Sequence, residues 1–182
     1  MAKENFDNCL EMLLAHEGGF TSDPLDSGNK GDGHGNQGST NLGVTSHVWA
    51  EFTGKPAPIS VMKELQPKDI GVLYRKRYWD RASCDDLPSG LDWAVFDFQV
   101  NAGSRSAKRL QRIVNATQDG AIGPATLAEV AKHNTKDLIL KFAEERQSYY
   151  ESLTKHFQRF GRGWTRRNKE TTDKAIKMAT GD

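Results

Sequence analysis

The chain has 182 residues, long enough to bury a core without disulfide or metal staples. Its mean hydropathy of −0.69 and its lack of a long apolar run exclude a membrane-spanning helix. The formal charge of +1 hides an asymmetry, since residues 1–91 carry a balance of −4 and residues 92–182 a balance of +5. Such a basic half favours an anionic polymer or surface, but no nucleic-acid motif accompanies it.

Asn5–His16 predicts an amphipathic helix, because Phe6, Leu10, Leu13 and Leu14 share one face. Gly18 and Gly19 are expected to stop it. Glu17 then stands at the negative end of the helix dipole, where the protonated carboxyl is favoured over the carboxylate. A carboxyl that keeps its proton is what a general acid requires. Residues 20–44 lack helical period and are rich in glycine. They predict a short β-hairpin or meander with a flexible insertion. Asp26 and Thr40 lie in this stretch, beside the turn-forming glycines. One acid, one carboxylate and one hydroxyl suit an inverting glycosidase, in which the second and third groups hold a water on the far face of the sugar.

Thr45 or Ser46 caps a predicted helix reaching Phe52, and Gly54-Lys-Pro56 ends it. Pro67 opens another that runs through Tyr74 to about Trp79. Residues 91–100 read as the central buried helix. Ser104 or Ser106 opens the next, Gly123-Pro124 a short one, and Asp137–Lys155 a long one with Leu138, Phe142 and Tyr149 on one side. A basic helix closes the chain. Asp97 and Asn101 are four apart on one helical face. Asp97 reads as an internal anchor, and Asn101 as a partner for an acetamido group. Tyr78 and Trp79 are candidates for stacking on sugar rings, whereas Trp49, Trp93 and Trp164 read as packing.

Several blocks together resemble the glycoside hydrolase family 108 muramidases found among phage endolysins. They are Glu17-Gly-Gly-Phe20, Asp23-Pro-Leu-Asp26, Thr40-Asn-Leu-Gly-Val-Thr45, Tyr78-Trp79, Asp97-Phe-Gln-Val-Asn101-Ala-Gly103, Asp119–Thr126 and Arg162-Gly-Trp164 with Arg167-Asn168. The resemblance implies a mainly α, lysozyme-like fold with a small β-hairpin or meander after the catalytic helix. It implies cleavage of the β-1,4 bond between N-acetylmuramic acid and N-acetylglucosamine of peptidoglycan, leading to host lysis. Glu17 matches the family's acid, and Asp26 and Thr40 match the water-positioning residues. Asn101, Tyr78, Trp79 and Thr45 are the expected substrate-binding residues. The chain departs from the family in residues 27–39, a glycine-rich insertion between Asp26 and Thr40 that leaves Asp23 and Asp32 as alternatives to Asp26. A lytic transglycosylase, a chitinase or a non-catalytic wall-binding protein are the competing readings.

The expected organisation is a catalytic lobe over 1–92 and a helical lobe over 93–178, the latter resembling a peptidoglycan-binding region, packed as one globular unit. No cofactor, metal or disulfide is expected. Two cysteines supply no ligand spacing, and Cys9 reads as a core residue. The expected partner is the peptidoglycan glycan strand, engaged by a monomer, with no nucleic acid and no integral membrane segment. Met1-Ala-Lys3 leads into a helix without a signal-peptide core. Synthesis in the host cytoplasm and release to the wall through a separate, holin-type lesion is therefore expected.

Overall fold

The computed structural model describes residues 4–181, so Met1-Ala-Lys3 lies outside the described residues. Contacts divide the chain into two compact units. One comprises Asp7–Arg75, and the other combines residues up to Phe6 with those from Lys76 onward.

Helix α1 (Phe6–Leu14), all but its first residue in the first unit, buries Cys9, Leu10 and Leu13, as its apolar spacing requires. The helix stops before the two glycines. Ala15 donates to Glu11, but His16 and Glu17 donate to Leu13 and Leu14, three residues back. This tightened last turn carries the chain out of the helix, so Glu17 stands on the turn itself and not on α1. The chain then pairs Thr21 with Thr40 and enters a minimal hairpin, β1 (Thr40–Asn41) and β2 (Val44–Thr45). Thr40 faces Thr45 and Asn41 faces Val44, leaving Leu42 and Gly43 as the two turn residues. Both have positive φ, 51° and 76°, which gives a two-residue turn whose twist matches its strands. Leucine is an uncommon residue in that conformation. Its carbonyl is held by the Tyr74 hydroxyl at 3.0 Å.

The insertion is folded around one carboxylate. Asp32 is buried and accepts from His34 N, Asn36 N, Asn36 Nδ2 and Ala57 N at 2.7–3.1 Å. Burial pushes its carboxyl up, yet these four donors outweigh that and hold it well below the usual carboxylate range. Three helices complete the unit. These are α2 (Ser46–Thr53), α3 (Ile59–Glu64) and α4 (Pro67–Tyr74). Thr45 caps α2 by accepting from Val48 N at 3.3 Å, and Gly54 closes it in the left-handed conformation. The sequence pattern does not announce α3, which is too short to show a period.

The second unit begins with a π-type turn, Arg75–Trp79, and two short 3₁₀ turns, Asp80–Ala82 and Cys84–Asp86. Helix α5 (Leu91–Ala102) is buried on nearly all sides, from Leu91 through Gln99, as befits a central helix. Against it pack α6 (Arg105–Ile113), α8 (Thr135–Ser152) and α9 (Thr154–Thr180), while α7 (Pro124–Val130) follows α6 in the chain. Asn134 caps α8, and the last helix spans the basic tail. Asp97 is the polar hub of this unit. Arg146 Nη1 reaches its Oδ2 at 2.7 Å, Arg167 Nη2 reaches its Oδ1 at 2.7 Å, and the Thr171 hydroxyl donates at 3.2 Å. The helical face shared with Asn101 therefore does not aim Asp97 at an open surface; it points inward, to two arginines. Cys9 and Cys84 are buried thiols. Among the described residues no helix is long and apolar enough to cross a membrane.

Candidate active site

The hairpin organises four of the expected residues in the first unit. A methyl carbon placed on Gly43 would lie 2.8 Å from Glu17 Oε2 and 2.7 Å from the Tyr74 hydroxyl. The Glu17 carboxyl therefore lies directly against the bare Cα at the hairpin tip, a close approach that only glycine permits. Glu17 itself is half-buried. A second glycine gathers the other groups. A methyl carbon on Gly28 would lie 3.5 Å from Asp26 Oδ1, 3.5 Å from Thr40 Oγ1 and 3.2 Å from the Thr45 methyl. Asp26, Thr40 and Thr45 thus converge around Gly28, on the paired strand residues at the base of the hairpin.

Hydrogen bonds orient these groups. Asp26 is exposed and accepts from Gly28 N at 2.9 Å, which fixes one oxygen and leaves the other for solvent. Thr40 donates its hydroxyl proton to Asn29 Oδ1 at 2.8 Å. That donation fixes the rotor and turns the oxygen lone pairs to any approaching water. Asn29 is buried and donates in turn to the Asp23 carbonyl at 3.0 Å. Asp23 spends Oδ1 on Leu25 N, a loop-shaping turn on the surface. Asp32, whose carboxylate already accepts three bonds from His34 and Asn36 of the insertion and one from Ala57, has no capacity to replace Asp26. A cleft of about 470 Å³ adjoins the pair, lined by Gly28, Thr45, Lys30 and His47 among others.

The remaining expected residues have other surroundings. The Thr45 hydroxyl caps α2, so its contribution beside Gly28 is its methyl. Asn101, Tyr78 and Trp79 belong to the other unit. Asn101 is exposed and returns its Nδ2 to the Asp97 carbonyl at 2.7 Å, which leaves its amide oxygen for a ligand. Tyr78 is half-buried. Trp79 is not a sugar platform in this structure. It is fully buried, Phe6 and Phe96 pack on it edge-to-face, and its Nε1 donates to Asp85 at 2.9 Å. Sequence reasoning missed Asn29, Tyr74, Lys30 and His47. Nothing in their spacing marks them, because the contacts span an irregular loop. Among the described residues no three His, Cys, Asp or Glu side chains cluster as metal ligands.

Residues 10–103 match the family model described as Glycosyl hydrolase 108. The chain belongs to that family. Residues 105–169 match a second model, described as Predicted Peptidoglycan domain, and the Asp119–Thr126 block falls inside it. The chain is also similar to the solved structure of Brucella abortus SagA, at 32% identity and a TM-score of 0.81, over 98% of this chain and 97% of that one. No curated protein matches. The expected lysozyme-like fold, mainly helical with a small hairpin after α1, is therefore the fold of this chain. The chain is a glycosidase that degrades peptidoglycan.

Proposed function

We propose that this glycosidase is an endolysin-type N-acetylmuramidase, hydrolysing the β-1,4 bond between N-acetylmuramic acid and N-acetylglucosamine. One observation carries the reading. A single two-strand hairpin holds a carboxyl against its tip and a hydroxyl–carboxylate pair at its base. Glu17 protonates the leaving glycosidic oxygen. Thr40 and Asp26 accept hydrogen bonds from a water and direct its lone pair at the anomeric carbon. Asp26 takes the proton that the attacking water sheds, matching the one Glu17 gives to the leaving oxygen, and Thr40 and Asp26 act mainly in the transition state. The protein is made in the cytoplasm of a host cell and reaches the wall through a separate membrane lesion, and lysis of that cell is its role.

Mass spectrometry of digested, purified sacculi tests the chemistry. Muropeptides ending in a reducing N-acetylmuramic acid are expected. Products ending in a 1,6-anhydro ring would identify a lytic transglycosylase, which dispenses with the water. Reducing N-acetylglucosamine ends would place the cut at the other linkage. Turbidity loss by chloroform-permeabilised cells, absent in intact cells, checks the route.

A further inference from the structure

We infer that α6, with Tyr149 of α8, forms a binding cleft for the free carboxylates of peptidoglycan stem peptides. The inference rests on peptidoglycan as substrate and not on Glu17 as acid. Arg105, Lys108, Arg109 and Arg112 recur at i, i+3, i+4 and i+7 of α6, which places all four on one face. Together with Gln118 and Tyr149 they line a cleft of about 260 Å³ whose charged residues are all cationic. Carboxylates support it from the sides. Glu145 pairs with Arg109 at 2.8 Å and, more loosely, with Arg112 at 3.8 Å. Asp119 is close enough to Lys108 to feel its charge, but its Oδ1 is already spent on Ala121 N and Gln111 Nε2.

Helix stability does not account for this face. Arg105 stands in the first turn, where the dipole favours acids, and that turn contains none. The four cations form like-charge pairs at i,i+3 and i,i+4, each of which weakens a helix. An anionic occupant relieves both costs. The guanidinium groups are also arranged for one. Those of Arg105 and Arg109 lie 5.9 and 5.8 Å from the centre of the Tyr149 ring, which restricts them; Arg109 already gives Nη1 to Glu145, so a forked bond to an occupant falls to Arg105. A forked donor matches a carboxylate, and the Gln118 amide suits the adjoining peptide bond. In peptidoglycan the lactyl carboxyl is consumed in joining the peptide, so the free carboxylates are those of the stem peptides. The cleft lies wholly within residues 105–169, the segment matching the peptidoglycan domain.

The test uses the full-length chain with Arg105→Gln, Lys108→Gln and Arg112→Gln together, sparing Arg109 and its partner. Cosedimentation with purified sacculi at 0.1 M salt gives affinity without requiring turnover. Its outcome is therefore separate from that of the bond-cleavage assay. Circular dichroism and melting confirm the fold, and the melting temperature is expected to hold or rise as like charges are removed. Wild type should bind sacculi about fivefold or more tightly than sacculi whose carboxylates have been amidated with ethanolamine. The triple variant should lose that preference and bind both alike. A folded variant with undiminished preference for native sacculi overturns the inference. So does a variant whose affinity falls for duplex DNA while its affinity for sacculi does not, which would assign the cleft to nucleic acid.

Discussion

Glu17 and the pair at the hairpin base make different demands on a substitution. Glu17→Gln keeps the shape of the side chain and removes the proton to be donated. Muropeptide release should fall by about 10²–10⁴-fold with the fold unchanged by circular dichroism. Retention of more than about a tenth of the activity by the folded variant would remove Glu17 from the mechanism. Asp26→Asn and Thr40→Ala should lower kcat more than they raise KM, since in the proposed mechanism both groups act on the water. Asp23→Asn should leave kcat nearly intact, because Asp23 shapes a surface turn through Leu25 N. An inactive Asp23→Asn beside an active Asp26→Asn would reverse the two assignments. The turn that carries Glu17 was legible in the sequence because a helix end followed by two glycines is a local signal. Asn29 was not, since its bond to Thr40 spans eleven positions across a loop without period.

The hairpin is the element on which the site depends. Its tip closes only because Gly43 has no side chain, with Glu17 on one side and the Tyr74 hydroxyl on the other. Gly43→Ala forces those groups apart and places alanine at a φ of 76°, which strains it further. Activity should fall at least about tenfold, with a melting loss of the order expected for about 1–3 kcal/mol. Tyr74→Phe removes the hydroxyl that donates to the Leu42 carbonyl, and loss of that bond should cost about 0.5–1.5 kcal/mol. If Gly43→Ala matches wild type in both rate and melting, the tip does not set the position of Glu17. Helix existence was readable in most of the chain from period and caps, as at Thr45 and Gly123-Pro124. Faces were harder to assign. The π-type turn Arg75–Trp79 resets the phase after α4, so a 3.6-residue period cannot say that Trp79 points into the core. Six-residue α3, lacking a side-chain cap, leaves too short a pattern to detect.

For the whole chain, the polar hub at Asp97 links the central helix to α8 and α9. It also makes the second unit's stability depend on pH. Asp97 is fully buried, which alone would raise its carboxyl, but Arg146 and Arg167 outweigh that and hold it below the ordinary carboxylate value. The folded state therefore holds fewer protons in acid than the unfolded chain, whose aspartates titrate near ~3.9. This stabilisation is full above that value and is lost as the pH falls from there through the folded value. Asp92 acts in the opposite sense. Burial raises its carboxyl despite bonds from Asn5, Trp93 and Gly90, so acidification recovers stability there. Asp32 and Asp119 are both lowered and act with Asp97, so wild type is expected to lose melting temperature below about pH 4. Asp97→Asn keeps the shape but leaves Arg146 buried beside a neutral amide. Breaking a buried pair in this way costs about 3–5 kcal/mol. In a chain of this size that should lower the neutral melting temperature by roughly 10 °C. The variant should then show a flatter profile between about pH 4 and 2, because one of the carboxylates held below the ordinary value is gone. A variant that loses as much at pH 3 as at pH 7 would show that Asp97 is not the titrating group. Unchanged melting at pH 7 would show that the arginine–carboxylate hub does not hold α5, α8 and α9 together.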